Sequence, residues 1–232
     1  MTTANLNSPP LFLSVGYEQP FSRVMFMRRL SLFSLVVLSS VSHADDVATK
    51  NLNALLAKMT SMQAHFEQHT LDPKNQPLQT LSGEMQVKRP GFFRWDTVKP
   101  FAQQIIANGQ SVWIYDPELQ QATKQKLDKQ VGNTPALLLS GDSSKIASSF
   151  VVTQEKSQTK NQNAFLLKPK DKEAVFESLR VSFNGSQMSS MQLKDSLGQK
   201  TDIFFSKIKL NGKISPSVFQ FTPPKDVDVI DE

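Results

Sequence analysis

The sequence predicts an α+β fold: a strongly curved antiparallel sheet, an unclosed half-barrel, with helices covering its concave, apolar face. Three observations carry that expectation. Segments in which apolar and polar residues alternate recur along the chain, parted by the turn residues Asn108-Gly109, Pro169, Asn184-Gly185, Leu197-Gly198 and Asn211-Gly212. One segment with apolar residues at steps of three and four precedes them. A second helical segment, short and very apolar, interrupts them at residues 136–139. Consecutive hairpins with one helix ahead and another in the middle make one sheet with helices on one side. No repeat and no second domain is visible.

The first residues have a different purpose. Met27-Arg28-Arg29, an apolar run over residues 30–41 and Ser42-His43-Ala44 have the charged, apolar, small-x-small layout of a secretory signal. The run's 12 residues fall short of the ~20 that a bilayer span asks for. Residues 1–26 lack apolar periodicity and are expected to be an extension upstream of the true start codon, with 27–44 the signal and 45–232 the working domain. Over 45–232 there are 23 basic and 20 acidic side chains, a net of +3. The lysines are dispersed, whereas nucleic-acid binding needs a basic stripe, so no nucleic-acid partner is expected. The chain has no cysteine, so an exported form relies on its core alone, which a domain of this length can supply.

The elements follow in order. Leu52, Leu55, Leu56, Met59, Met62 and Phe66 predict one helix, ended by Pro73 and Pro77. Leu81, Gly83, Met85 and Val87 alternate as in a strand, and Phe93 and Trp95 continue the habit beyond Pro90-Gly91. Asn108-Gly109 predicts a hairpin that pairs residues 103–107 with 111–115. The rings of Phe93, Trp95, Trp113 and Tyr115 are expected on one sheet face. Gly132-Asn133-Thr134-Pro135 is a helix start, Asn133 or Thr134 capping and Pro135 at the first helical position. It opens the helix at 136–139, stopped by Ser140-Gly141, and a further short helix is expected over 142–150. Strands are expected around 165–167, 179–183, 191–194 and 203–205.

Candidate chemistry is sparse. His65 and His69 invite a metal, but on a helix Glu67 would point away from both and the working domain has no other histidine, so no metal is expected. Ser140-Gly141-Asp142-Ser143-Ser144 lacks the glycine spacing of a nucleophile elbow and is expected to be a loop. With no acid, base or nucleophile set, neither an enzyme nor a cofactor is expected. Phe93, Trp95, Trp113, Leu137, Leu138 and Leu139 read from their residues as a packed core, with a lined cavity as the alternative. Arg89, immediately before Pro90, suits capture of helix carbonyls, with a surface cation beside Lys88 as the plainer account.

The chain resembles the LolA family of periplasmic outer-membrane lipoprotein carriers. The likeness rests on Arg89-Pro90-Gly91-Phe92-Phe93-Arg94-Trp95, the Asn108-Gly109 turn and Trp113-Ile114-Tyr115. It extends to Phe66-Glu67-Gln68, Gln121-Ala122-Thr123, Gly132-Asn133-Thr134-Pro135 with Leu137-Leu138-Leu139, and Phe219-Gln220-Phe221-Thr222-Pro223-Pro224. The resemblance implies a monomeric periplasmic shuttle that takes acylated lipoproteins from an inner-membrane ABC transporter to a LolB-like outer-membrane receptor. It implies that Phe93, Trp95, Trp113, Leu137, Leu138 and Leu139 meet the acyl chains. It also implies that Arg89 latches a lid through carbonyls near Leu139, Ser140 and Leu56. The lipid-anchored receptor of the same fold needs a cysteine after its signal, which this chain lacks, so a soluble protein is expected. Ala136 departs from members that carry a larger apolar residue there. A periplasmic lipid-binding sensor or adaptor module of the same half-barrel is the alternative.

Overall fold

The computed structural model describes residues 41–127, 145–156, 159 and 161–231, with side chains from residue 46 onward. Helix α1, Val41–Ala57, comes first. Six strands follow: β1 Ser61–Leu71, β2 Pro77–Lys88, β3 Phe92–Lys99, β4 Gln103–Asn108, β5 Ser111–Asp116 and β6 Gln121–Lys126. One helical turn, α2 Ile146–Ser149, leads into β7 Phe150–Glu155, β8 Gln162–Pro169, β9 Phe176–Asn184, β10 Gln187–Asp195 and β11 Lys200–Leu210. A 3-10 turn at Pro216–Phe219 and β12 Asp228–Asp231 finish it. All twelve strands form one sheet in the order β12-β6-β5-β4-β3-β2-β1-β11-β10-β9-β8-β7, antiparallel except for the parallel β12–β6 pair. Because β12 and β7 stand at opposite ends of that order, the sheet is open, and it is the half-barrel expected.

Its curvature has local causes. The register shifts at Gln63/His65 between β1 and β11, at Ser82/Gly83 between β2 and β3 and at Met188/Ser190 between β9 and β10. Each extra residue bends its strand and raises the local twist. The main core lies on one face, where Ala48, Leu52 and Leu56 of α1, which lies against β7, join one cluster with Met62, Ala64 and Phe66 of β1, Met85 and Val87 of β2, Phe93 and Trp95 of β3, Val152 of β7, and Ile203 and Phe205 of β11. Ala48, Leu52 and Leu56 recur every fourth residue, so α1 turns a single stripe onto the sheet, while its Lys50–Asp46 pair stays in water.

Two expectations are corrected. The first helix ends at Ala57, and Met62 and Phe66 belong to β1, where Met62, Ala64 and Phe66 alternate inward. A residue far away in sequence sets the break. Asn211 accepts from the Thr60 N–H at 2.9 Å and the Thr60 hydroxyl at 3.0 Å, and its amide donates to the Lys58 carbonyl at 3.0 Å. Of the helix expected over 142–150, residues 142–144 lie outside the described residues, Ile146–Ser149 are helical, and Phe150 already belongs to β7. The helix expected at 136–139, and with it Leu137, Leu138, Leu139 and Ser140, lies outside the described residues.

Candidate functional site

The concave face is built by register. Phe93 pairs with Ala107 and Ala107 with Val112; Trp95 pairs with Ile105 and Ile105 with Ile114. Residues paired across antiparallel strands share a face, so these six form apolar rows across β3, β4 and β5. Phe93 is fully buried and Trp95 is 5% exposed. Their rings stack with centroids 6.0 Å apart, and Phe66 stacks on the other side of Trp95 at 3.8 Å.

Phe66 on β1 reaches Trp95 on β3 across β2, and Gly83 is the reason it can. Gly83 pairs with Phe66 on one side and Thr97 on the other. A Cβ there would collide with the Asp96 carbonyl and stand 2.8 Å from Phe66 Cε1. The missing side chain lets two large rings close over the strand between them. Phe66 and Gly83 are thus part of the aromatic floor, although the sequence pattern marked them only as helix and strand residues.

Trp113 and Tyr115 are not on that floor. Arg94 pairs with Ile106 and Ile106 with Trp113, while Gln104 pairs with Tyr115, which puts both rings on the outer face. There they meet Phe221, at centroid distances of 5.4 and 5.2 Å, and the Lys124 ammonium stands 5.7 Å from the Trp113 ring. Phe219 packs against Phe92 at 5.6 Å, and Arg94 donates to the Val218 carbonyl at 3.1 Å while paired with Asp96 at 2.7 Å. The C-terminal segment therefore covers a second, smaller apolar patch, with Ile106, Ala122 and Phe219 buried in it. Crossing the two-residue β4–β5 hairpin switches which parity of residue faces inward, but Trp113 is separated from Trp95 only once the β3–β4 register is also set.

Arg89 closes β2 at its turn into β3. Its backbone N–H donates to the Thr60 carbonyl at 2.9 Å, which places it beside the junction that follows α1, where Leu56 is buried. Gly91 follows in the left-handed region at φ +82°, and a Cβ on it would approach the Gly109 Cα at 3.2 Å, so this turn and the β4–β5 turn nest against each other.

His65, Glu67 and His69 occupy alternate positions on β1 and share its outer face, correcting the helical expectation that Glu67 points away. His69 Nε2 lies 2.7 Å from Glu67, His69 Nδ1 lies 3.1 Å from the Thr80 hydroxyl, and His65 Nε2 lies 3.5 Å from Glu84. Among the described residues no group of histidine and carboxylate side chains has a geometry suited to a metal ion. Buried polar side chains among them are Thr49, Ser61 and Thr97, none ionisable. Among the described residues, the buried cluster on the concave face is apolar.

Comparison with known proteins agrees with this chemistry. Residues 57–222 match the family model described as outer membrane lipoprotein carrier protein LolA. An outer-membrane lipoprotein carrier protein of Pseudomonas paraeruginosa is 44% identical over 207 residues, covering 89% of this chain and 99% of that protein. Its namesake in Pseudomonas entomophila is 46% identical over 206 residues, covering 88% and 98%, and that of Azotobacter vinelandii is 41% identical over 209 residues, covering 88% and 100%. Among solved structures, an uncharacterized conserved protein from Thermus thermophilus shares the fold at 12% identity, with a TM-score of 0.51 over 78% of this chain and 99% of that one. Open-sheeted, with an aromatic floor, and matched by a family model across most of its length, the chain is a member of the LolA family of outer membrane lipoprotein carrier proteins.

Proposed function

We propose that this protein shields the acyl chains of lipoproteins in the periplasm, accepting them from an inner-membrane ABC transporter and passing them to an outer-membrane receptor. The supporting observation is the concave face, where large apolar side chains from α1 and the strands form one buried cluster made of apolar residues. Phe93 and Trp95 form the floor of the site, and Leu137, Leu138 and Leu139 are assigned to the lid above it. Trp113 is left out because it faces outward. The hydrophobic magnitudes define the task. At ~0.8 kcal/mol per buried methylene, an anchor of about 45 methylenes resists water by roughly 36 kcal/mol. No non-covalent site realises more than about 18–21 kcal/mol. The carrier therefore covers the chains only partly, hands them over directly, and needs no catalytic step.

Phe93 and Trp95 are covered in this structure, so cargo enters only when what lies over them moves. Arg89, beside the end of α1, is assigned the latch that holds the closed state, with carbonyls near Leu56, Leu139 and Ser140 as its acceptors. Residues 27–44 are assigned to export and the working protein to the periplasm. Mass spectrometry of the native periplasmic protein tests the reading, with bound acylated lipoprotein the expected result. Protein that never carries lipoprotein, even when the transporter is active, would favour a sensor or adaptor instead.

A further inference from the structure

A polar atom on α1 is buried without a partner. The carboxamide oxygen of Asn53 is shut off from water, and among the described residues no hydrogen-bond donor reaches it. Burying such a group unpaired is costly, and buried polar groups in folded proteins are as a rule paired, so an exception asks for a cause. The helix does not supply one, because leucine is about the same size, propagates a helix better and carries no acceptor. Asp96 also has a buried oxygen without a partner, but its other oxygen holds Arg94 at 2.7 Å, which accounts for that carboxylate. The Asn53 side chain shows no comparable bond among the described residues.

Its place on α1 narrows the cause. Residues three and four apart on a helix are neighbours, so Asn53 stands beside Leu56 and Thr49, both buried. Asn51, two residues back, points to nearly the opposite side of the helix, where it donates to Gln154 of β7 at 2.8 Å. Asn53 therefore flanks the apolar stripe on the side away from β7. Leu52 and Leu56 belong to the cluster that holds Phe93 and Trp95, so the unmet acceptor borders the surface assigned to the acyl chains.

We propose that Asn53 accepts the amide N–H of an N-acylated cargo, so that the protein reads the polar junction of the lipid anchor as well as its chains. The inference rests on the cargo reading above and adds a chemical class to it. An anchor of acyl chains on an N-terminal cysteine is apolar only along the chains. Where they join, esters offer acceptors alone, whereas the amide that fixes a chain to the cysteine nitrogen also carries an N–H. That N–H leaves water together with its chain and needs an acceptor of its own. Pairing it with Asn53 satisfies both groups at once, while a free N-terminal ammonium would bring an unpaired charge to an apolar surface. Selectivity follows because a ligand without the N–H leaves the buried acceptor unmet.

Three ligands separate the amide from the chains: a triacylated lipopeptide, the same lipopeptide with its acyl amide N-methylated, and palmitic acid, each competed against a fluorescent fatty acid. The parent protein should prefer the amide to its N-methyl form by about two- to tenfold, the scale of one hydrogen bond. In Asn53→Leu, and in Asn53→Ala without the added bulk, the two lipopeptides should bind alike. Asn51→Leu, on the β7 flank, should keep the parental preference. Without ligand, Asn53→Leu should unfold at a higher denaturant concentration because the unmet acceptor is gone, whereas loss of an asparagine kept for structure would lower it. A parent that does not distinguish the lipopeptides, a preference that survives in both Asn53 variants, or a leucine variant that unfolds earlier and loses palmitic acid as strongly as the amide would each overturn the proposal. A parent that binds none of the three would overturn the cargo reading, and this inference with it.

Discussion

At the scale of single residues, Gly83 and Phe93 make opposite demands. Gly83 is needed for what it lacks: an alanine there must displace the Asp96 carbonyl or the Phe66 ring. Gly83→Ala is expected to cost about 1–3 kcal/mol, the usual range for overpacking, read as a lower denaturant midpoint at unchanged slope. Phe93 is needed for what it presents. Phe93→Glu sets a carboxylate into the floor, where an unpaired charge is costly, so it ionises only where the floor is open to water. Loading from the inner-membrane transporter should fail while the circular dichroism of the sheet persists. A variant that loads as well as the parent would remove Phe93 from the cargo path.

At the scale of elements, the C-terminal segment packs on the outer face of β3, β4 and β5, whereas α1 lies against β7 and joins the core on the other face. The segment shields Trp113 through Phe221, whereas Trp95 is shielded by Phe66 and Phe93. Phe221→Ala should therefore expose only one of the two tryptophans, raising the acrylamide-quenchable fraction and costing about 0.5–1.5 kcal/mol, the scale of one aromatic pair. Equal quenching of both would mean that the segment also supports the concave core. On the other face, Arg89 sits beside the junction after α1. Charge-assisted hydrogen bonds to helix carbonyls, about 1.5–3 kcal/mol in favourable cases, would stabilise the closed form and so work against cargo. Arg89→Leu should retain lipoprotein more tightly and release it to receptor membranes more slowly, with Arg89→Lys between, because lysine keeps the charge but not the planar fork. Weaker cargo binding in the leucine variant would mean that Arg89 touches the ligand.

At the scale of the whole molecule, the open sheet needs α1 over its concave face to bury a core without disulfides. The residues through which α1 does so, Ala48, Leu52 and Leu56, all follow Asp45. Cleavage between Ala44 and Asp45 would thus shorten the helix while keeping Ala48, Leu52 and Leu56 in the core. The processed periplasmic protein is expected to begin at Asp45, checked by N-terminal sequencing or intact mass. A mature form starting before Met27 would refute both the signal and the upstream extension.

Much of this architecture follows from local chemistry. Most strand positions between Leu81 and Phe205 were legible because apolar alternation and turn residues are properties of adjacent residues, as at Asn184-Gly185 between β9 and β10, whereas β6 and β7 were not marked as strands. The aromatic character of β3 was legible for the same reason. Two matters were decided only in three dimensions. Met62 and Phe66 fit a helix by their four-residue spacing and a strand by their alternation with Gln63 and His65; Asn211, about 150 positions away, resolves the choice by binding Lys58 and Thr60. The faces of Trp95 and Trp113 depend on the registers of two successive strand pairs, because each shift of one residue reverses a side chain's direction. Alternation within a strand is local and can be read from the chain, whereas which apolar stripes share a core depends on contacts between distant segments, and those exist only in the folded protein.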